Sequence, residues 1–219
     1  MYCLRRRKGR SDGGRRVPYV ETADINARLS FEKVMEVHDA IALIETAVGQ
    51  SSGVWADLGA GTGTFTRPLA ALLAPGSRIY AIDRDARAVG ELRKIKVTGA
   101  EIIPIQADFT RLDLSTLHPP VLDGLLLANA LHFVSRADDV LRGLVAHLPP
   151  GGRVVIVEYD HRAPSRWVPF PISAAELEAM ATTVGLSGFR ITATRPSEYG
   201  GTLYAAVMSY ACRSPGDSG

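Results

Sequence analysis

Apolar and polar positions along this chain follow two alternating periods. Continuous apolar runs predict five strands that are buried on both faces, at about 54–58, 78–83, 102–107, 121–127 and 153–158. Between them, apolar residues that return every three or four positions predict helices at about 64–74, 85–97 and 136–148. An earlier helix is predicted from Ser30 to Gly49, where we expect it to pack over the mouth of a ligand site. Strands alternating with helices indicate right-handed βαβ units on a parallel sheet.

The end of the chain follows a different pattern. It predicts a proline-rich loop, a helix and two further strands, at about 160–172, 173–184, 188–195 and 201–209. Only Pro196–Gly200 joins the last two strands, and so short a link forces them to pair antiparallel. Pro104 removes a ladder hydrogen bond from the third strand, which therefore belongs at a sheet edge. We predict an α/β fold with a single doubly wound Rossmann-like sheet of seven strands, mostly parallel with an antiparallel C-terminal hairpin strand, and helices on both faces.

Charge separates the beginning of the chain from its middle. Residues 1–16 carry seven basic side chains and one acidic side chain, whereas the remainder is mildly acidic. This composition predicts a disordered basic N-terminal leader over 1–29, a domain over 30–210 and a flexible tail over 211–219. The acidic domain disfavours nucleic acid as a partner, except through the basic residues 5–16. A leader without a binding role is the preferred interpretation of those arginines.

The two cysteines and the short apolar runs bear on the cellular compartment. Cys3 and Cys212 lie near opposite ends of the sequence and provide no disulfide framework. We therefore expect a cytoplasmic protein with reduced thiols. The apolar runs are far shorter than the roughly 20 residues that span a bilayer, so a membrane partner is not expected.

The first predicted strand ends in a glycine-rich segment that begins at Asp57, with glycines at 59, 61 and 63. Because glycine has no Cβ, a ligand can lie against its main chain, and the amides that follow open a helix N-terminus. A dinucleotide fingerprint, G-x-G-x-x-G, would place its third glycine at position 64, which is Thr64. Asp83 follows the second strand at the distance where a carboxylate binds ribose hydroxyls. The segment predicts a cradle for a nucleoside ligand other than a dinucleotide.

At these residues the chain resembles the class I S-adenosylmethionine-dependent methyltransferases, whose glycine motif reads Asp-x-Gly-x-Gly-x-Gly. The resemblance extends over about 30–210 and implies S-adenosylmethionine as cofactor, S-adenosylhomocysteine as product and no metal. It implies cofactor contacts from Asp57, Gly59, Ala60, Gly61, Thr62, Gly63, Asp83, Arg84, Asp108, Phe109 and Asn129. In that family pattern the glycines lie along the methionine part.

Five of these residues have an individual role under the resemblance. Asp57 would lie near the ammonium group, Asp83 would bind the ribose, and Asp108 would accept from the adenine amine. Phe109 would offer a main-chain amide and a ring face to the base, and Asn129 would offer its main chain near the sulfonium. For Asp108 the alternative is an ordinary helix cap or Asx turn before Leu112.

Candidates for a general base follow the fourth and fifth strands, since ligands of such sheets bind beyond the carboxyl ends of the strands. His132 comes first, then Tyr159 and His161. A packing role or a helix cap is the equal alternative for His132. Asn129, Glu158 and Asp160 would be the weaker case for a metal site, because the histidines and cysteines show no metal-ligand spacing.

The acceptor is constrained mainly by missing motifs. Asn129 does not open the Asn-Pro-Pro-aromatic signature of amino-methylating DNA enzymes, and no central cysteine is present to attack a pyrimidine. The stretch 131–134 resembles the small-molecule branch, with oxygen, nitrogen and carbon acceptors all open. A lid is expected from the first helix, the loop at 167–170 and the hairpin with Tyr199 and Tyr204. The alternative functions are a non-catalytic cofactor-binding subunit and an RNA methyltransferase guided by the arginine-rich leader.

Overall fold

The computed structural model describes residues 35–118, 121–197 and 200–211. These segments contain the α-helices α1 (Val37–Val48), α2 (Thr66–Leu72), α3 (Ala86–Leu92), α4 (Ala137–Val145) and α5 (Ala174–Thr183). They contain the strands β1 (Val54–Leu58), β2 (Arg78–Asp83), β3 (Glu101–Gln106), β4 (Gly124–Ala128), β5 (Arg153–Asp160), β6 (Leu186–Pro196) and β7 (Thr202–Tyr210). Short 3₁₀ turns lie at Leu114–Thr116 and Leu131–Phe133.

The strands form one sheet in the order β3-β2-β1-β4-β5-β7-β6. Strands β1 to β5 pair in parallel, and β7 pairs antiparallel with both β5 and β6. The predicted fold class, the edge position of the third strand and the C-terminal hairpin are confirmed. Pro104 lies on the edge strand β3, where the missing N–H costs no ladder hydrogen bond on the open side.

Helices cover both faces of the sheet, as predicted. Successive strand residues point to opposite faces, so Ala56 packs in the layer of α4 and α5, whereas Trp55 packs in the layer of α1 and α2. The Trp55 indole occupies the place beside Gly124, where an added Cβ would come within 2.6 Å of it. This double cover explains why the central strands are apolar without alternation.

The first helix differs from its prediction in both start and position. Residues 30–34 lie outside the described residues, and Met35 and Glu36 are not helical, so a start at Ser30 is wrong for those two positions. Glu36 has extended backbone angles (φ −65°, ψ 147°) and serves as N-cap. The described helix packs Ile44 and its neighbours on the sheet beside α2, and it contributes nothing to the cavity described below.

Other boundaries differ by a few residues. The predicted helix at 85–97 ends at Leu92 and the predicted strand at 121–127 begins at Gly124. In the second case the Asp123 carboxylate accepts from the Val54 N–H (2.7 Å), which turns the chain before the strand begins. The predicted leader at 1–29 lies outside the described residues, as does the predicted tail apart from Ala211.

Candidate functional site

A cavity of about 720 Å³ opens at the carboxyl ends of the central strands. Its wall comes from the segments that follow β1, β2, β3 and β4 and from the beginning of α4. This is the edge at which open α/β sheets bind ligands, and the volume suits a small molecule. All predicted cofactor residues except Thr62 and Gly63 line it.

The glycine loop after β1 is held by main-chain hydrogen bonds and by positive φ angles. Gly59, Gly61 and Gly63 have φ values of 77°, 55° and 91°. A Cβ added at Gly59 would lie 2.9 Å from the Ala130 Cβ, and one at Gly63 would lie 2.5 Å from the Ile95 Cδ1, so neighbouring side chains fill the space beside both glycines. A Cβ at Gly61 would meet nothing within 4 Å and would face the cavity. Gly61 is therefore the glycine that leaves room for a ligand.

Asp83, at the end of β2, fixes this loop. Its Oδ2 accepts from the Gly61 N–H at 2.8 Å, and its Oδ1 accepts from the Asp85 N–H at 2.8 Å. Each carboxylate oxygen has two lone pairs, so acceptor capacity remains for ligand hydroxyls. The same carboxylate can hold the loop and the ribose of a nucleoside.

Asp57 forms a buried acidic floor. The residue is 1% exposed, and its Oδ2 accepts from the Thr66 Oγ1 at 2.6 Å. Burial raises the pKa of the Asp57 carboxyl from 3.8 to about 7, the Thr66 hydrogen bond opposes this, and the negative charge of Asp83 adds to it. A cationic ligand group would relieve the cost of ionising this carboxyl.

Asp108 forms the Asx turn that the alternative interpretation predicts. Its Oδ1 accepts from the Thr110 Oγ1 (2.7 Å) and the Thr110 N–H (3.0 Å), and the side-chain hydrogen bond is the main reason why its pKa lies below the ordinary value. No described residue donates to Oδ2, which keeps its lone pairs for a ligand. Phe109 lines the cavity beside it. A structural role and a base-reading role are compatible here.

Asn129 carries two signs of a ligand site. It has a positive φ of 54°, which is uncommon outside glycine, while its N–H donates to the Val157 carbonyl at 2.9 Å. Its buried Oδ1 has no partner among the described residues, although the residue lines the cavity. Buried polar atoms in native proteins are normally paired, so this oxygen fits a donor on a bound molecule.

The three predicted base candidates do not line the cavity. His132 is 2% exposed, and its Nδ1 lies 2.7 Å from the Glu158 Oε2. The Tyr159 ring lies 5.8 Å from the His132 ring and carries the Arg162 guanidinium at 4.5 Å. His161 is fully outside, with an 85% exposed side chain beside Asp160.

Sequence reasoning missed the far wall of the cavity, which consists of Phe133, Val134, Ser135, Arg136 and Val140. The 3₁₀ turn after β4 brings this segment to the cavity, and the strand-end rule stops one residue short of it. None of the predicted lid residues that the structure describes lines the cavity. Trp167 and Phe170 are exposed, Tyr204 is a core residue whose hydroxyl donates to the Ile172 carbonyl, and Tyr199 lies outside the described residues.

The described residues hold neither a metal cluster nor a membrane-spanning helix. Within the described segments, no group of three or more His, Cys, Asp or Glu side chains is placed to hold a metal ion. In the same part of the chain, no helix combines the length and the apolar character needed to cross a membrane.

Comparison with known proteins identifies the domain. Residues 56–154, from β1 to the start of β5, match the family model described as a methyltransferase domain. The match confirms the resemblance to the class I methyltransferases over these residues. The ubiquinone/menaquinone biosynthesis C-methyltransferase UbiE of Ectopseudomonas mendocina (strain ymp) is 30% identical over 107 residues, which are 48% of this chain and 41% of that protein. The chain thus spans less than half the length of the curated relatives that it matches.

Solved structures support the methyltransferase fold over most of the chain. The N-methyltransferase NodS from Bradyrhizobium japonicum, in complex with S-adenosylhomocysteine, has a TM-score of 0.62 and 18% identity, covering 84% of this chain and 90% of that chain. A 1,6-didemethyltoxoflavin-N1-methyltransferase from Burkholderia thailandensis has a TM-score of 0.59 and 16% identity, covering 89% of this chain and 92% of that chain. At these identities the agreement concerns the fold.

Proposed function

We propose that this protein is an S-adenosylmethionine-dependent methyltransferase that methylates a small-molecule acceptor. The observation that carries the proposal is one cavity that collects Asp57, Gly61, Asp83 and Asp108 at the ends of three adjacent strands. The buried Asp57 carboxylate matches the ammonium group of the cofactor, and the main chain at Gly61 matches its methionine chain. The carboxylates of Asp83 and Asp108 match the ribose and the adenine. S-adenosylhomocysteine is the corresponding product.

The residues present fit this cofactor on independent grounds. Gly61 leaves open space along the loop, and the unpaired Asn129 Oδ1 offers an acceptor at the cavity wall. The raised pKa of Asp57 indicates a carboxyl placed for a cation that is supplied by a ligand. Arg84 lines the same wall beside Asp83, and Ala60 lines the loop.

The cofactor supplies an electrophilic methyl group on a sulfonium. The acceptor would give an electron pair to the methyl carbon, a lone pair for oxygen or nitrogen and a π-bond or carbanion pair for carbon. The pair of the broken carbon–sulfur bond would stay on sulfur, and the acceptor would release a proton. Holding the reactants in line is worth roughly 7–11 kcal/mol, whereas a general base adds about 3–5 kcal/mol. Since the base candidates lie off the cavity, the site supports catalysis mainly by positioning.

The proposed methyl acceptor is a small molecule. The names of UbiE and of the toxoflavin enzyme refer to ubiquinone/menaquinone biosynthesis and to 1,6-didemethyltoxoflavin. Beyond the proposed cofactor residues, the cavity wall combines the apolar Phe133, Val134 and Val140 with polar side chains that include Arg111 and Arg136. Oxygen, nitrogen and carbon acceptors all remain within the proposal.

The test is calorimetry with S-adenosylmethionine and S-adenosylhomocysteine, followed by turnover to S-adenosylhomocysteine over a panel of metabolites. Binding with turnover on an acceptor supports the proposal, and the absence of any binding contradicts it. Binding without turnover on the whole panel supports the non-catalytic subunit instead. His132, Tyr159 and His161 stay proposed bases, and substitution of each in the turnover assay decides among them.

Two proposals concern residues outside the described segments. An RNA methyltransferase guided by residues 5–16 requires salt-dependent RNA binding that disappears when residues 1–16 are deleted. We also place the protein in the cytoplasm on the basis of its two distant cysteines, and cell fractionation that recovers it elsewhere would contradict this.

A further inference from the structure

Glu158, near the end of β5, is a fully buried carboxylate that the proposed chemistry does not use. It is 0% exposed, and a buried carboxylate is costly unless it is paired and hydrogen-bonded. Both of its oxygens are engaged by one residue. Oε2 lies 2.7 Å from the His132 Nδ1, and Oε1 accepts from the His132 N–H at 3.2 Å.

His132 also contacts the segments that carry Phe170 and Phe133. Its carbonyl accepts from the Phe170 N–H at 3.0 Å, which ties the loop before α5 to the turn after β4. Its ring lies 4.3 Å from the Phe133 ring. The hydroxyl of Tyr204, on β7, holds the same loop from below by donating to the Ile172 carbonyl at 2.9 Å. One residue is therefore held at its main-chain N–H, its ring and its carbonyl.

One of these segments brings an aromatic ring to the cavity. Phe133 lines the cavity and is 53% exposed, whereas Phe170, on the loop tied to His132, is 45% exposed and does not line it. Exposing a ring such as that of Phe133 costs free energy that a bound apolar group would recover. The His132–Glu158 pair is absent from the cavity lining, so it acts on the cavity through Phe133.

Stability alone does not account for the pair. Exchanging a buried ion pair for well-packed apolar residues is often neutral or stabilising, whereas a charged hydrogen bond fixes the orientation of the imidazole ring. When a carboxylate is ionised it only accepts hydrogen bonds, and a His132 Nδ1 that carries the proton would then donate to Glu158. The hydrogen bonds between Glu158 and His132 therefore favour one rotamer of His132 and hence one position of its neighbour Phe133.

We propose that Glu158 is a positioning residue for the acceptor side of the site: through His132 it sets the Phe133 ring as a wall for a flat, apolar part of the acceptor. This inference rests on the proposed function for its ligand, and it adds the residue that shapes the wall and the kind of ligand group that the wall binds. It gives His132 a structural link between Glu158 and Phe133.

The experiment uses the full-length protein saturated with S-adenosylhomocysteine and titrated with Nile red, a flat, neutral and apolar fluorophore. In Glu158→Gln the amide has one acceptor oxygen for two donors, so the imidazole must rotate or change tautomer. We expect Nile red affinity to fall on the order of tenfold while S-adenosylhomocysteine affinity stays within about twofold, since one hydrogen bond to a charged group is involved. Nitrogen NMR of His132 should show loss of the Nδ1-protonated form.

Three further variants locate the effect. Phe133→Ser should lose Nile red affinity while keeping the histidine signal. His132→Asn places an amide donor where Nδ1 lies, so it should keep Nile red affinity that His132→Ala loses, even if Glu158→Gln does not fold. Glu178→Gln, an exposed change on α5, is the matched control and should change nothing.

The outcomes separate this inference from the proposed function. Unchanged Nile red affinity in Glu158→Gln or in Phe133→Ser overturns the positioning role. An equal loss of affinity for S-adenosylhomocysteine and Nile red also overturns it, because the pair would then support the whole domain. Failure of wild-type protein to bind S-adenosylhomocysteine would overturn the proposed function, whatever Nile red does.

Discussion

The cofactor side and the acceptor side of the cavity are built in different ways. On the proposed cofactor side, main chain and short acidic side chains at the ends of β1, β2 and β3 form the wall, as the hydrogen bond from the Gly61 N–H to Asp83 illustrates. On the proposed acceptor side, Phe133 lines the cavity next to a buried pair, His132 and Glu158, that joins residues 26 positions apart. The first wall consists of main chain and carboxylates whose positions are set by the strand ends. The second wall consists of larger side chains whose positions depend on buried neighbours.

The largest expected effect is on the loop that carries Gly61. Gly61→Leu would place a side chain in the open space that the glycine leaves. We therefore expect the affinity for S-adenosylhomocysteine to fall more than about hundredfold, measured by calorimetry. The strain of a side chain at φ 55° adds a destabilisation of about 1–3 kcal/mol.

Gly76→Leu is the matched control for that strain. Gly76 has φ 86° and also nothing within 4 Å of an added Cβ, but it does not line the cavity. Thermal unfolding should therefore change similarly in both variants, while only Gly61→Leu loses the ligand. Equal affinity in the two variants would show that the loop is not the cradle.

The next effect concerns the acidic floor. The folded-state pKa of Asp57 lies near 7, above its unfolded value of 3.8, so the folded protein binds the proton more tightly. Its contribution to stability is present below about pH 4 and is lost as pH rises through about 7. A shift of this size corresponds to at most about 4 kcal/mol. We expect Asp57→Asn to raise the free energy of unfolding of the ligand-free protein at pH 8 by about half of that, measured by denaturant titration.

Ligand binding should show the opposite preference. The ammonium group of S-adenosylhomocysteine favours the ionised Asp57 carboxylate, so wild-type affinity should rise with pH up to about 7 and then level off. Asp57→Asn should bind more weakly without this pH dependence. A flat pH profile for the wild type between pH 6 and pH 8 would contradict the contact.

Asp83→Ala tests the link between the loop and the ribose. It removes the acceptor for the Gly61 N–H and the proposed partner of the ribose hydroxyls, so we expect a tenfold to hundredfold loss of S-adenosylhomocysteine affinity, or about 1.4–2.8 kcal/mol. Asp113→Ala is the comparison, because Asp113 also caps a turn, by accepting from the Ser115 N–H at 2.9 Å, but lies away from the cavity. Similar affinities of the two variants would remove Asp83 from the site.

The smallest effect is expected on the acceptor side. Tyr204→Phe leaves the Ile172 carbonyl without its donor and should lower the free energy of unfolding by about 1 kcal/mol. Affinity for S-adenosylhomocysteine should not change, because Tyr204 lies off the cavity. Tyr80→Phe, which loses a hydrogen bond to the His118 carbonyl, is the control. Only Tyr204→Phe should also weaken Nile red binding, and a matching loss in Tyr80→Phe would argue against a specific tether.

Much of the cofactor side could be predicted because its determinants are local. The apolar period predicts where each strand ends, and residues at those ends, such as Asp57 and Asp83, reach the carboxyl edge of the sheet. The packing of Gly63 against Ile95 could not be read in this way, because it depends on where α3 ends. For that reason the motif alone does not separate a glycine that makes room for a ligand from one that makes room for a helix.

The sequence by itself determined the alternation of strands and helices, the edge position of Pro104, the hairpin and the acidic glycine loop. Each of these follows from local period, chain length or backbone freedom. Only the tertiary structure decided that His132 faces Glu158 rather than the cavity, that α1 covers the sheet, and that Phe133 reaches the mouth. Those outcomes depend on which side chains meet after β4 and β5 lie side by side, and that meeting leaves no periodic trace along the chain.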